Sequence, residues 1–203
     1  MSKLAITNII APSEKEPFLA PFRFQITLDV QAPLIHPLTL MVTYVGCAEN
    51  SKYDQTLEQI EVTIDDKGSQ FCEIVTNPVN PSLIPSIEDL LGPTVIILSA
   101  IYKEKEFFRC SYFINNSYQG NEYQLQQQNI DLTLVDRIVL VDQPRVHYSE
   151  IDWNDEADQF LQSQLNFFNP AEISKTKQDV DALMNNYQDA LQVNHNSFLG
   201  RFT

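Results

Sequence analysis

Residues 93–118 read PTVIILSAIYKEKEFFRCSYFINNSY, and the way this stretch folds decides the rest of the chain. Apolar, β-branched and aromatic residues dominate from Thr94 to Tyr102, the polar run Lys103-Glu104-Lys105-Glu106 reverses the chain, and Phe107 to Tyr118 returns. Together these predict a β-hairpin. Side chains alternate across a strand. One face therefore carries Val95, Ile97, Ser99 and Ile101 with Phe107, Arg109, Ser111 and Phe113; the other carries Ile96, Leu98, Ala100 and Tyr102 with Phe108, Cys110, Tyr112 and Ile114. Both faces are mostly apolar, whereas an antiparallel hairpin ordinarily buries one face and wets the other. Either the pair is central and covered on both sides, or it keeps an apolar face for a partner.

Working outward, the same period of two recurs. Leu4 to Ile10 reads as a first strand and Ala11 to Pro21 as a loop; Phe22, Phe24, Ile26, Leu28 and Val30 then alternate with polar residues in the clearest half-buried strand. Leu38, Leu40, Val42 and Tyr44 alternate with Thr39, Met41, Thr43 and Val45, and this second set is expected to lie beside the outward face of the hairpin. Gly46 ends that strand, and the polar loop from Cys47 returns the chain at Asp54. Ile60, Val62 and Ile64, the turn Asp65-Asp66-Lys67-Gly68 and Gln70 to Thr76 form a further hairpin. The proline-rich connection 77–91 holds one helical turn, Ser86 to Leu91, with Ser86 as cap and Glu88 near the N-terminus. Glutamine-rich 122–128 is a short edge strand or loop, and Arg137 to Tyr148, broken by Pro144, is a strand suited to an edge or a bulge. Many short strands with regular turn signals indicate an all-β, immunoglobulin-like β-sandwich.

Beyond Trp153 the period becomes helical. Ala157 to Phe168 is a weak helical stretch, and Asn169-Pro170-Ala171-Glu172 opens a stronger one carrying Val180, Leu183, Met184, Tyr187 and Leu191. The expected organisation is a core over 1–153 and a polar, flexible or partly helical C-terminal tail over 154–203. Docking of that tail, or presentation of a helix to a partner, remains open.

A net charge of −14 on 203 residues disfavours direct contact with nucleic acid and favours a basic partner. No apolar run is long enough to span a bilayer, and the N-terminus lacks the form of a secretory signal, so an intracellular protein without membrane partners is expected. Cys47, Cys72 and Cys110 fit reduced thiols better than a disulfide framework. Asn115-Asn116-Ser117 matches a glycosylation sequon that has no meaning in such a compartment.

Signals of catalysis are missing. Five glycines form no phosphate loop, His36, His147 and His195 show no metal-ligand spacing with cysteines, and no serine or cysteine lies in a nucleophile motif. The expectation is a binding module without enzymatic activity, metal or cofactor. Val45, Val95, Ile97 and Phe113 would form its apolar centre, with Asp54, Glu88 and Arg109 as charged rim.

Five stretches then resemble one family: PFRFQITLDV from residue 21, TYVGCAENSKYDQ from 43, NPVNPSLIP from 77, YFINNSY from 112 and QPRVHYSEIDW from 143. The chain resembles the anti-silencing function family of histone H3/H4 chaperones, from its first residues to about Trp153. The resemblance implies a nuclear, non-catalytic protein whose concave sheet face receives a helical region of histone H3 and so blocks H3/H3 tetramerisation. On that face it places Val45, Asp54, Val95 and Arg109, with Ile97 at a matching place and Phe113 where the family usually has tyrosine. It further implies that the histone H4 tail adds as a strand along an edge at Pro144, Arg145 and Val146, beside a pocket that Tyr112 helps to line. The resemblance also implies a groove on the opposite side for basic peptides of chromatin assembly factors; there the family normally has an acidic pair, and this chain has His36 and Pro37. Leu38 and Val62 match the apolar part of that groove, and Glu58 keeps one acidic position. A β-sandwich scaffold for non-histone chromatin-factor peptides is the alternative reading.

Overall fold

The alternating residues build two antiparallel sheets. In the computed structural model, which describes residues 2–120 and 130–155, the strands are β1 (Leu4–Ile10), β2 (Glu16–Pro17), β3 (Arg23–Val30), β4 (Leu38–Tyr44), β5 (Gln55–Val62), β6 (Gly68–Val75), β7 (Gly92–Tyr102), β8 (Lys105–Tyr118) and β9 (Val135–Tyr148), with one turn of α-helix, α1 (Ile87–Leu90), before β7 and short 3-10 turns at Ser51–Tyr53, Pro81–Leu83 and Leu132–Leu134. One sheet has the order β1-β3-β6 and the other the order β2-β9-β8-β7-β4-β5. The fold is an all-β sandwich. The glutamine-rich 122–128 stretch and the helical segments expected within 157–191 lie outside the described residues.

Period two decides which residues meet between the sheets. Phe24, Ile26, Leu28 and Val30 of β3 face Leu38, Leu40, Val42 and Tyr44 of β4 and Ile96, Leu98, Ala100 and Tyr102 of β7, all buried. Aromatic rings bridge the layers: Phe24 stacks against Tyr112 at 6.4 Å and Phe18 meets Tyr44 edge-on at 6.5 Å. Such pairs add roughly 0.5–1.5 kcal/mol beyond area burial.

The central hairpin is β7 and β8, paired from Gly92↔Asn116 to Tyr102↔Lys105. Its turn is tighter than the four-residue run suggests, since only Lys103 and Glu104 lie between the paired ends, both left-handed at φ 51° and 63°. Two successive left-handed residues match the twist of a hairpin. A bulge then interrupts the ladder, because Ala100 pairs with Phe108 but Ile101 pairs with Glu106. Phe107 is the extra residue. It was expected outward; instead it is buried, its ring edge-on to Trp153 at 5.0 Å. A bulge re-aims one side chain and shifts the parity of what precedes it.

The segment 11–21, expected as a loop, contains β2, whose Glu16 and Pro17 pair with Arg137 and Asp136. Arg137, 1% exposed, clamps it: its guanidinium meets the Glu16 carboxylate at 2.9 Å, donates to the carbonyls of Phe18 and Pro21, and lies 3.5 Å from the Phe22 ring centre. Past Arg137 the outer edge of β9 has no strand beyond it among the described residues.

Candidate functional site

The outward face of the six-stranded sheet collects the residues expected there. Rows cross it from strand to strand: Thr43 of β4 pairs with Ile97 of β7, Ile97 with Ser111 of β8, and Ser111 with Arg145 of β9. One row along, Val95 pairs with Phe113, and the Val45 amide donates to the Val95 carbonyl at 2.9 Å, so that Val45 extends the β4 series beside Val95. The Thr94 hydroxyl donates to the Val45 carbonyl at 2.6 Å and ties that end down. Val45, Val95, Ile97 and Phe113 are all half-buried. Of the two fates open to the hairpin, its inward face is core and its outward face remains partly accessible.

Charge frames this patch. Gly46 lets the chain turn sharply past the Tyr53 backbone, where any Cβ would collide with the Tyr53 carbonyl. The loop so formed ends at Asp54, which closes a short helical turn and receives the Gly46 amide. Desolvation raises the Asp54 carboxyl above its ordinary value, and the Gly46 N–H opposes that rise. Glu88 is exposed on α1, whose Ser86 cap accepts from the Asp89 amide at 3.0 Å. Arg109 is exposed on β8 and held by Glu106, its Nε and one terminal nitrogen each 2.9 Å from a different carboxylate oxygen. The Ser99 hydroxyl donates to the same carboxylate at 2.8 Å.

Glu106 and Ser99 were not singled out from the sequence. The polar run 103–106 assigned Glu106 to the turn, yet a signal existed: two large aromatics in succession, Phe107-Phe108, cannot both enter one core from a regular strand. Arg145 also occupies an unexpected place. Its resemblance-based assignment is to the β9 edge, but its guanidinium lies 5.0 Å from the Phe113 ring centre, joining the edge to the outward face. At that distance the contact is a cation–π pair.

The second set lies at the free end of β9. The strand leaves the ladder where β8 advances from Ser111 to Phe113 and β9 from Leu140 to Arg145. Pro144 lies in that departure, where its missing N–H removes no ladder bond. Pro144, Arg145 and Val146 are exposed. Beside them a depression of about 220 Å³ opens between β1 and β9, lined in part by Ile9, Phe108, Tyr112, Pro144 and Tyr148. Tyr148 closes one end by donating to the Ile6 carbonyl at 3.2 Å. Burial, reinforced by neighbouring Cys110, pushes the Tyr112 phenol above its ordinary value, so it enters any contact as a neutral hydroxyl.

The third set is brought together incompletely. Val62 pairs with Leu38 and Glu58 with Val42, which puts Glu58 and Val62 along the outer strand β5. His36 is half-buried, its ring 6.2 Å from Tyr102, and Tyr102 stacks on Trp153 at 5.4 Å. Leu38, expected to line this groove, is fully buried with its side chain in the core. Its position is a correction, and the reason is parity: it continues the Leu40, Val42 and Tyr44 series of inward residues. Among the described residues no group of acidic, histidine or cysteine side chains can hold a metal ion, and no helix is long and apolar enough to cross a membrane.

A family profile described as ASF1 like histone chaperone matches residues 1–154. The chain belongs to the ASF1-like histone chaperone family. It is 38% identical over 158 residues to "Histone chaperone ASF1" of Mycosarcoma maydis, covering 77% of this chain and 90% of that one. Against "Probable histone chaperone ASF1A" of Arabidopsis thaliana the identity is 35% over 162 residues, 78% of this chain and 81% of the relative. Against "Histone chaperone ASF1B" of Homo sapiens it is 31% over 159 residues, 78% of each chain. The ASF1-like match ends beside Trp153, so it spans the sandwich and all three residue sets.

Proposed function

We propose that this chain is a histone chaperone that binds an H3/H4 dimer on the outward sheet face, blocks its tetramerisation and supports nucleosome assembly and disassembly. The observation that carries the reading is the half-buried row Val45–Val95–Phe113, framed by Asp54 and Arg109. An apolar centre with a charged rim is the anatomy of a protein interface, and family membership supplies the basic partner. Val95 is the apolar anchor. Asp54, Glu88 and Arg109 set the register of a bound helix, and Ile97 widens the apolar floor.

The free edge of β9 at Pro144–Val146 adds the histone H4 tail as a strand, with the Tyr112 depression receiving one of its side chains; backbone pairing there gives affinity and the depression gives selection. Glu58 and Val62 form the remaining peptide groove, and His36 and Pro37 in it bring no negative charge to a basic motif of an assembly factor. The mechanism needs no bond change and no cofactor. Occupying the tetramer surface is steric and reversible, and the formal charge of −14 accelerates encounter with basic histones. A protein that carries histones to and from chromatin acts in the nucleus, and this reading includes that location.

The test is calorimetry of purified H3/H4 with the wild type and with Val95→Arg, each with a melting curve. Binding by the wild type, lost in a mutant of unchanged melting temperature, is the expected result. An unbound wild type refutes the histone reading, and a mutant that melts far lower refutes Val95 as a surface anchor.

A further inference from the structure

A regular strand would put Glu106 and Arg109, three residues apart, on opposite faces. They nevertheless form a two-bond ion pair on one face. The bulge explains this, because Phe107 turns inward against Trp153 and returns Glu106 to the face that carries Arg109 and Ser99. Ser99 pairs directly with Arg109 across β7 and β8, and its hydroxyl fixes the Glu106 carboxylate at 2.8 Å. The extra residue thus builds a Ser99–Glu106–Arg109 chain on an outward surface where, for an exposed arginine, solvation alone would suffice.

We infer that Glu106 is a positioning residue for the histone-binding face: anchored by Ser99, it holds the Arg109 guanidinium in a fixed pose for an acceptor oxygen on the bound H3 helix. The inference rests on the histone reading above. Glu106 engages Nε and one proton of a terminal nitrogen, so the other terminal nitrogen stays available as a donor. An unrestrained arginine loses much rotamer freedom on binding, and Glu106 moves that loss into the free protein. The pair is only partly covered, Arg109 being 51% and Glu106 26% exposed at the side chain, and such an ion pair adds little to fold stability, which separates this role from a structural one.

The test is a double-mutant cycle on H3/H4 affinity with Glu106→Ala, Arg109→Ala and the pair, together with Glu106→Gln and a melting curve for each. Glu106→Ala is expected to weaken binding about three- to tenfold, the range that follows from immobilising one long side chain, with Glu106→Gln in between. In the Arg109→Ala background the further loss is expected to vanish, because Glu106 acts through Arg109. Additive losses overturn the inference, as do unchanged affinity of Glu106→Ala or a melting temperature that falls in step with affinity. If the wild type itself does not bind, the histone reading falls first; wild-type binding with an additive cycle removes this inference alone.

Discussion

Replacing Arg137 by alanine tests what joins the β2 segment to the sandwich. The side chain is 1% exposed, and its guanidinium serves three acceptors of one segment at once: Glu16 at 2.9 Å, the Phe18 carbonyl at 3.1 Å and the Pro21 carbonyl at 3.0 Å, above the face of Phe22. Burial lowers its pKa, while Glu16 works in the opposite direction. Truncation leaves two carbonyls without donors and a void against Phe22; Glu16, 32% exposed at its side chain, can turn to water. Leaving a buried acceptor without its donor costs about 1–3 kcal/mol, so the two carbonyls together cost about 2–6 kcal/mol, a large part of the roughly 5–15 kcal/mol that holds a domain. At roughly 2–4 °C per kcal/mol for a chain of this size, the melting temperature should fall by about 10 °C. Arg137→Met removes the guanidinium that lies over Phe22 but fills more of the void than alanine and should lose less, and Glu16→Gln, which still offers an acceptor, less again. Urea unfolding followed by circular dichroism gives all three. A loss under about 1 kcal/mol for Arg137→Ala, set against the cost of two orphaned buried carbonyls, refutes the clamp. So does a Glu16→Gln loss that equals it.

Two further substitutions probe the hairpin and its rim. Glu104 sits at φ 63°, a conformation that is unfavourable for a side chain by roughly 1–2 kcal/mol, so Glu104→Gly should raise urea stability by about 1 kcal/mol after its greater unfolded-state freedom is subtracted; a loss would mean the turn is not strained. Asp54 is exposed, but partial desolvation is the first cause of its raised carboxyl pKa, so its charged form opposes folding slightly. The folded state binds the proton more tightly, and this contribution to stability therefore falls as pH rises from the unfolded value of about 3.8 through the raised folded value. Asp54→Asn should then match or exceed the wild type in melting temperature at pH 7, lose that advantage below pH about 4 where both are neutral, and bind H3/H4 more weakly. A mutant less stable at pH 7 contradicts the assignment of desolvation as the dominant cause.

Most of the sandwich was legible because burial between two sheets imposes a period of two, and Phe24 to Val30 and Leu38 to Tyr44 obey it without interruption, as does Ile96 to Tyr102 except at Ser99, which is buried although it faces outward. Pro144 announced an edge for a related reason: a residue without an N–H cannot sit inside a ladder. What escaped were features that depend on partners distant in sequence. β2 is two residues long and exists because Arg137, far along the chain, has a cage to fill; nothing local to Glu16 and Pro17 signals it. Leu38 shows the same limit from the other side, since a family position suggested a groove residue while its own parity with Leu40 and Val42 already pointed inward. The bulge at Phe107 is the most instructive case. Counting by twos put Phe107 outward and left Glu106 in the turn, and one extra residue reversed both. Alternation predicts faces only between interruptions, so the face of a residue near a turn should be judged by whether its neighbours can all be accommodated. Phe107 and Phe108 cannot share one inward column of a regular strand. Taken as a constraint on packing, that adjacency predicts the bulge, and the bulge brings Glu106 to Arg109.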